Sequence, residues 1–350
     1  MDNSRQSEQA LMNCSFVKTI LMLLVVLGHA CAFWDGTWFT KNPVIPSNGL
    51  SIISSWLGSF HIYAFTLVSG YLFAAKVSGG GYQNYPAFLK TKAKRLLVPY
   101  VFVMLIWVAP VSEYYFKYEL PALIEKYILC ISPSQLWFLW MLFGVFAIVW
   151  PLRKTMIEKP ITGWMIAIAF YGVSIVGGKF IPNVFCILTA CQHIVFFYVG
   201  IRIMVKTERH EDLLTQRIPW YGWLIVDIML FIADRMLKGQ TAFIWKLAVL
   251  GIDFVLHIIG AIMAWTILQA IASRVRWHDN KIFKKLASYS MPIYLFHQQI
   301  IYFVITALNG AVNPWINAGA NFLVALIGSS LISAFLMRWR TTRFLIGEKV

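Results

Sequence analysis

Apolar residues in this chain run in ten long blocks, and each block ends at glycine, proline or clustered charge. The blocks fall at about 16–34, 50–75, 96–116, 134–151, 161–177, 183–201, 218–234, 242–272, 290–309 and 316–337. A bilayer core of about 30 Å needs about 20 apolar helical residues, so each block reads as a membrane-spanning helix. The eighth is too long for one perpendicular crossing and is expected to tilt or to begin outside the bilayer. Pro43 and Pro46, Gly79-Gly80-Gly81, Pro110, Pro151, Pro160, Gly177-Gly178 with Pro182, Pro219 and Asn309-Gly310 mark the joins. The chain thus divides into an N-terminal tail (1–15), a single transmembrane domain (16–338) and a C-terminal tail (339–350), with no internal repeat.

The first block carries two residues foreign to hydrocarbon, Lys18 and His29. Eleven helical steps of ~100° pass three whole turns by only ~20°, so both side chains share one face, roughly 16 Å apart along the axis. A cation near one surface and an imidazole deep in the bilayer look like two ends of one site.

Composition strengthens the membrane reading. Of 350 residues, 59% are hydrophobic and 13% charged, against about 25% charged in soluble domains. The net charge of +15 suggests nucleic acid at first sight, but the basic residues sit in short loops between spans, where topology explains them. With the N-terminus inside, only Lys41, Lys117, Lys126, Lys179, Arg235, Lys238 and Lys246 fall outside. The rest of the 30 basic residues, including Arg5, Arg209, Arg217 and Lys349, fall inside. The positive-inside rule then predicts an all-α polytopic protein of about ten transmembrane helices with both termini cytoplasmic. The long loops 76–95 and 273–289 are basic and cytoplasmic in this scheme. The five cysteines have no metal-ligand spacing. Cys31 and Cys130 share the outer side, where a bridge is open to them, although an isolated membrane cysteine usually acts as a small hydrophobe.

Ionisable groups inside spans are costly and therefore functional candidates. They are His29, His61, His193, Asp253, His257 and His297. Asp227 is read as close enough to an interface to be wetted. Asp253 and His257, at i and i+4, form either a base-orienting pair or a structural one. Any of the histidines alternatively serves as a helix–helix hydrogen bonder or as part of a proton path. No HExxH-like spacing supports a metal, and no G-x-S-x-G elbow supports a serine hydrolase.

Several stretches together resemble the integral membrane acyltransferase-3 family, in its fucose-O-acetylase-like branch. They are Lys18 and His29 in KTILMLLVVLGH, FHIYAFTLVSGYLF (Phe60–Phe73), KRLLVPY (Lys94–Tyr100), LWFLWMLF (Leu136–Phe143), FFYVGI (Phe196–Ile201) and SYSMPIYLFH (Ser288–His297). They occur in family order over about four-fifths of the chain. Three positions depart from the pattern: Lys18 replaces the usual Arg, Ser15 stands where an Asp is common, and Ile62-Tyr63 replaces Met-Pro. Lysine keeps the charge but loses the bidentate fork.

The resemblance implies a multi-pass enzyme of the cell (inner, cytoplasmic) membrane, an O-acetyltransferase with acetyl-CoA as donor and no metal. The implied acceptor is a hydroxyl of an envelope or exported glycan, free or lipid-linked, such as O-antigen or exopolysaccharide. It makes His29 the base or the nucleophile, with His61 and His297 as further catalytic candidates. Lys18, Lys92, Lys94 and Arg95 are expected at the donor phosphates, and Ser69 and Tyr294 at the donor's thioester. Trp34, Trp38, Trp56 and Trp137 are candidate sugar platforms, with Trp34 and Trp137 taken as the site residues. Lys18 and the Lys90–Arg95 cluster serve equally well as topology anchors, and the tryptophans as interface-belt residues. The alternative function is a proton-coupled transporter or flippase of sugar or lipid-linked glycan, against which the lack of paired broken segments counts.

Overall fold

The computed structural model describes residues 3–36, 38–208 and 218–348, with side chains from residue 9 onward. Of the charges sorted above, Arg209, Arg217 and Lys349 lie outside the described residues, and the Arg5 side chain is likewise not described. The described residues form helices and connecting turns without a strand. Lipid offers a backbone no hydrogen-bond partners, so spanning segments must satisfy their own groups as helices.

In chain order the helices are α1 (Asn3–Cys31), α2 (Asn48–Gly58), α3 (His61–Ser78), α4 (Tyr85–Val103), α5 (Ala109–Phe116) and α6 (Leu120–Leu123). They continue with α7 (Trp137–Glu158), α8 (Pro160–Gly177), α9 (Ile187–Glu208), α10 (Trp220–Leu237) and α11 (Phe243–Arg274). The last are α12 (Lys281–Ser288), α13 (Ser290–Leu308), α14 (Pro314–Leu336) and α15 (Arg340–Leu345). Among the described residues, nine helical segments are long and apolar enough to cross a membrane. The seventh predicted block, α10, falls outside that set. Its 18 residues include Asp227, Asp234 and Arg235, too much charge for a plain apolar span. Two of these, Asp227 and Asp234, are buried against the bundle rather than turned to lipid.

Four readings of the sequence change. The second block is two helices, broken at Ser59 and Phe60 between α2 and α3. The segment 76–95 is largely helical: Asn84 caps α4 by accepting the Ala87 N–H at 3.0 Å, and Pro86 suits the first turn. Lys90–Arg95 thus project from a helix rather than a loop. The segment 273–289 holds the short helix α12, capped by Asn280 accepting from Phe283 N at 3.0 Å. Asp227 is not wetted at all; it is 0% exposed and accepts a hydrogen bond from Trp56 Nε1 at 2.9 Å. Between α4 and α5 the helix widens into a π turn over Met104–Val108. Pro110, with no N–H to offer the preceding turn, accounts for the altered register. All five cysteines are buried and free, Cys31 and Cys130 included.

The α3–α9 crossing lies at the centre of the bundle. Lipid tails are as apolar as leucine, so helices associate by close packing and not by burial from water. At Gly200 a methyl group would lie 2.8 Å from Tyr71 N, with the Leu67 carbonyl closer still. At Gly70 it would lie 2.8 Å from the Phe197 carbonyl carbon. The Ser-Gly-Tyr and Tyr-Val-Gly words are therefore two halves of one backbone-to-backbone contact. Asn321, fully buried on α14, donates to the Ala30 carbonyl at 3.1 Å and fixes the far end of α1.

Candidate active site

One uninterrupted helix, α1, carries both Lys18 and His29, so their common face and roughly 16 Å separation survive intact. His29 sits in the last turn, just before a 3-10 turn (Ala32–Asp35) that ends at Gly36, φ 83°. Asp35 accepts from Ser51 Oγ at 2.9 Å and Ser54 Oγ at 2.7 Å. Those bonds tie the turn to α2 and hold the helix end in place.

His29 meets His297 of α13. Their Nδ1 and Nε2 atoms are 2.8 Å apart, and the rings are nearly parallel, 9° between planes with centroids 5.0 Å apart. His297 is wholly buried. Its Nδ1 lies 2.8 Å from the Tyr294 carbonyl and 3.1 Å from the Ile293 carbonyl. A carbonyl only accepts, so Nδ1 of His297 must carry the proton and its Nε2 must present a lone pair. His29 Nδ1–H then donates to that lone pair. The hydrogen bonds leave the second nitrogen of His29, Nε2, as an unprotonated base.

His61, the first residue of α3, packs beside this pair: a methyl group on Gly28 would lie 3.9 Å from His61 Cε1. Its Nδ1 is bonded to the Leu57 carbonyl, which orients the ring. Tyr294 belongs to the same neighbourhood, its ring 6.2 Å from His297 and its hydroxyl donating to the Gln135 carbonyl. Ser69 lies two turns further along α3 and donates to the Phe65 carbonyl at 2.9 Å.

The tryptophans are placed differently from one another. Trp34 is buried, and its Nε1–H donates to the Ile45 carbonyl at 3.1 Å. Trp137 contacts His193 edge-on at 5.7 Å, in a separate aromatic group with Tyr63 and His257. Trp38, named from sequence as a further sugar platform, packs on His29 with centroids 5.7 Å apart and on Tyr302 at 5.0 Å. Sequence reasoning missed three glutamines. Gln135 and Gln299 exchange side-chain hydrogen bonds of 2.7 and 3.1 Å. Gln298 donates to Tyr302 Oη at 2.5 Å and Ser134 Oγ at 3.1 Å. The signal was present in the Gln298-Gln299 pair that follows His297 inside an apolar block.

Midway along α1, eleven residues before His29, Lys18 lies within electrostatic reach of Lys92 and Arg95 of α4. Lys94 is exposed on the same helix as Lys92 and Arg95. Lys92 is also caged by aromatic rings, its Nζ 3.7 Å from the Phe146 centroid and 5.2 Å from that of Tyr82. Glu348 reaches into this group. Burial pushes its carboxyl above the ordinary range, against the pull of Arg95, Arg343 and Lys18. Asp253 and His257 are not partners of each other in the hydrogen bonds seen: Asp253 pairs with Lys238 at 3.2 Å, and His257 stacks on Tyr63 at 4.1 Å. Among the described residues, no three His, Cys, Asp or Glu side chains converge as a metal site.

The arrangement is a buried, oriented imidazole base at one end of α1 and a cluster of cations around its midpoint. Compared with known proteins, residues 15–339 match the family model described as an acyltransferase domain. No curated protein and no solved structure matched the chain.

Proposed function

The chain belongs to the acyltransferase-3 family, and from that premise we propose that it transfers an acetyl group from cytosolic acetyl-CoA to a hydroxyl of an envelope or exported glycan. It is a multi-pass membrane acyltransferase; the donor, acceptor and membrane of residence are the finer reading. The single observation that carries this reading is the His29–His297 pair at 2.8 Å, which leaves Nε2 of His29 basic.

In this mechanism Nε2 of His29 removes the proton from the acceptor hydroxyl as its oxygen attacks the thioester carbonyl carbon. The C–O bond forms, the C–S bond breaks, and the imidazolium returns its proton to the departing sulfur. His297 accepts the Nδ1–H bond throughout and stabilises the positive charge that develops on His29. Lys18, Lys92, Lys94 and Arg95 suit the polyanionic head of coenzyme A. Its flexible arm would then run along the Lys18–His29 face of α1. His61 is suited to support the base, and Tyr294 and Ser69 line the path as hydrogen-bonding groups.

Purified protein incubated with radiolabelled acetyl-CoA and crude envelope glycan tests the proposal, wild type against His29→Ala. Loss of label transfer with an unchanged melting profile is expected. Transfer by His29→Ala at the wild-type rate refutes the mechanism. Lys18→Ala is expected to raise the KM for acetyl-CoA while keeping transfer at saturating donor.

A further inference from the structure

Whether His29 and His297 meet depends on how α13 is turned about its own axis, and one residue outside the histidine pair grips that helix. Gln135, 3% exposed, sits in the 3-10 turn Ser134–Leu136 that leads into α7. Its Nε2 donates to the Leu295 carbonyl at 3.0 Å and to Gln299 Oε1 at 2.7 Å. Its Oε1 accepts from Gln299 Nε2 at 3.1 Å, and its backbone carbonyl accepts from the Tyr294 hydroxyl. The Leu295 carbonyl can only accept, so the amide nitrogen must face it and the amide cannot flip. The turn itself is held against its preference. Ser134 has φ 53°, a left-handed conformation that persists only where the surroundings fix it. Its hydroxyl accepts from Gln298 Nε2 at 3.1 Å.

These bonds bracket His297 along α13, at Tyr294 and Leu295 before it and Gln299 after it. At ~100° per residue, positions 295 and 299 each stand ~200° from 297, and position 294 stands ~60° from it. The amide pair therefore grips the side of α13 away from His297, while the Tyr294 bond braces its flank. Such a grip sets the rotation of the helix without touching either imidazole. Helix side chains reach about 5–6 Å from the axis, so a turn of ~10° would move the His297 ring by ~1 Å. The His29–His297 bond is 2.8 Å long, and a hydrogen bond weakens steeply once stretched or bent. Misplacing a catalytic group by ~1 Å can cost ~10²-fold in rate. An apolar side chain would fill the same space but supply no directional bond to resist the turn.

We infer that Gln135 is a positioning residue for acyl transfer: through its amide pair with Gln299 it fixes the rotation of α13 and holds His297 Nε2 on His29 Nδ1. Its effect on rate rests on the mechanism proposed above, but the hydrogen bond it protects can be read without turnover.

The test compares Gln135→Met, Gln299→Met and the double variant, each in the wild-type and the His297→Ala background. Methionine keeps the length of glutamine and loses the amide. The double variant strands neither amide, so its melting profile is expected to stay near that of wild type. In the transfer assay the double variant is expected to lower kcat about tenfold, with donor KM changed by less than about twofold. In the His297→Ala background the same change is expected to cost less than about twofold, because the residue it acts through is gone. A merely structural role predicts equal losses in both backgrounds, or no loss in a folded double variant, and either result overturns the inference. The second readout is the His29 Nδ1–H resonance in protein carrying isotope-labelled histidine, assigned by its loss in His29→Ala. It is expected far downfield in wild type and absent from the double variant. Its unchanged persistence in that variant, or its absence from wild type, overturns the inference. Should the double variant fail to fold, the single variants carry the same comparisons. If wild type transfers no acyl group, or His297→Ala transfers normally, the mechanism fails while the resonance still judges Gln135.

Discussion

Gly200→Ala is the substitution whose effect the structure fixes most directly. The added methyl would sit 2.8 Å from Tyr71 N and closer still to the Leu67 carbonyl, where ordinary contact begins at 3.4 Å. Both obstacles are backbone, so no side-chain rotation relieves them. Tyr71 N alone would require helices α3 and α9 to part by about 0.6 Å and the nearer Leu67 carbonyl requires more, whereas a gap of 0.5–1 Å already forfeits a quarter to a half of each contact's attraction. Overpacking of this kind costs about 1–3 kcal/mol, occasionally more. The movement also displaces α3, which begins with His61, so activity falls along with stability. Gly172→Ala is the control: nothing lies within 4 Å of its methyl position on α8, and alanine is the better helix former by about 1 kcal/mol. Thermal unfolding in detergent, followed by loss of the monodisperse peak, measures both. A Gly200→Ala protein as stable as wild type, or a Gly172→Ala protein equally weakened, refutes the idea that glycine holds this crossing.

Other expectations rest on separate contacts. His297→Ala should lower kcat about a hundredfold with little change in donor KM, since in the proposed mechanism it removes the group that orients and stabilises the base; unchanged kcat would separate His297 from the chemistry. Trp56→Phe should destabilise the protein by about 1–3 kcal/mol by stranding the buried Asp227 carboxylate, and a thermal shift within error of zero would contradict this. Burial pushes the Cys130 thiol above its ordinary range, only partly opposed by its hydrogen bond with Tyr100. The thiolate fraction at pH 8 should therefore be smaller than in a free cysteine. Maleimide labelling of Cys130 should remain slow there until denaturant is added; fast labelling in the native state would count against it.

Most of the spans were legible because a bilayer leaves the backbone one local solution, so apolar length alone gives their positions. What escaped is what length cannot encode. The α2–α3 break occurs within a continuous apolar block, without proline, where the Ser59 hydroxyl and the His61 ring bond back to the Trp56 and Leu57 carbonyls of α2. Asp227 was misread because sequence shows a carboxylate's depth but not the Trp56 N–H that satisfies it, contributed from a helix 171 positions away. Lys18 and His29 were visible as a stripe because they share one helix. His297 was visible as a candidate, but its contact with His29 spans 268 positions, and no local period announces it. The glutamines escaped because attention to ionisable residues passes over neutral amides, although Gln135 and Gln299 are as fully bonded to each other as a charged pair.

The unbroken α1 helix makes the molecule a ruler. In the proposed mechanism Lys18 and His29 share one unbroken helix, so the distance from phosphate grip to base would be set by residue count. A donor with a shortened arm would anchor at Lys18 and leave its thioester stranded in the bundle, and a lengthened one would overshoot. Inserting a single residue between Lys18 and His29 would turn the base by ~100° off the shared face while lengthening the rod by only ~1.5 Å. Direction would be lost long before distance mattered.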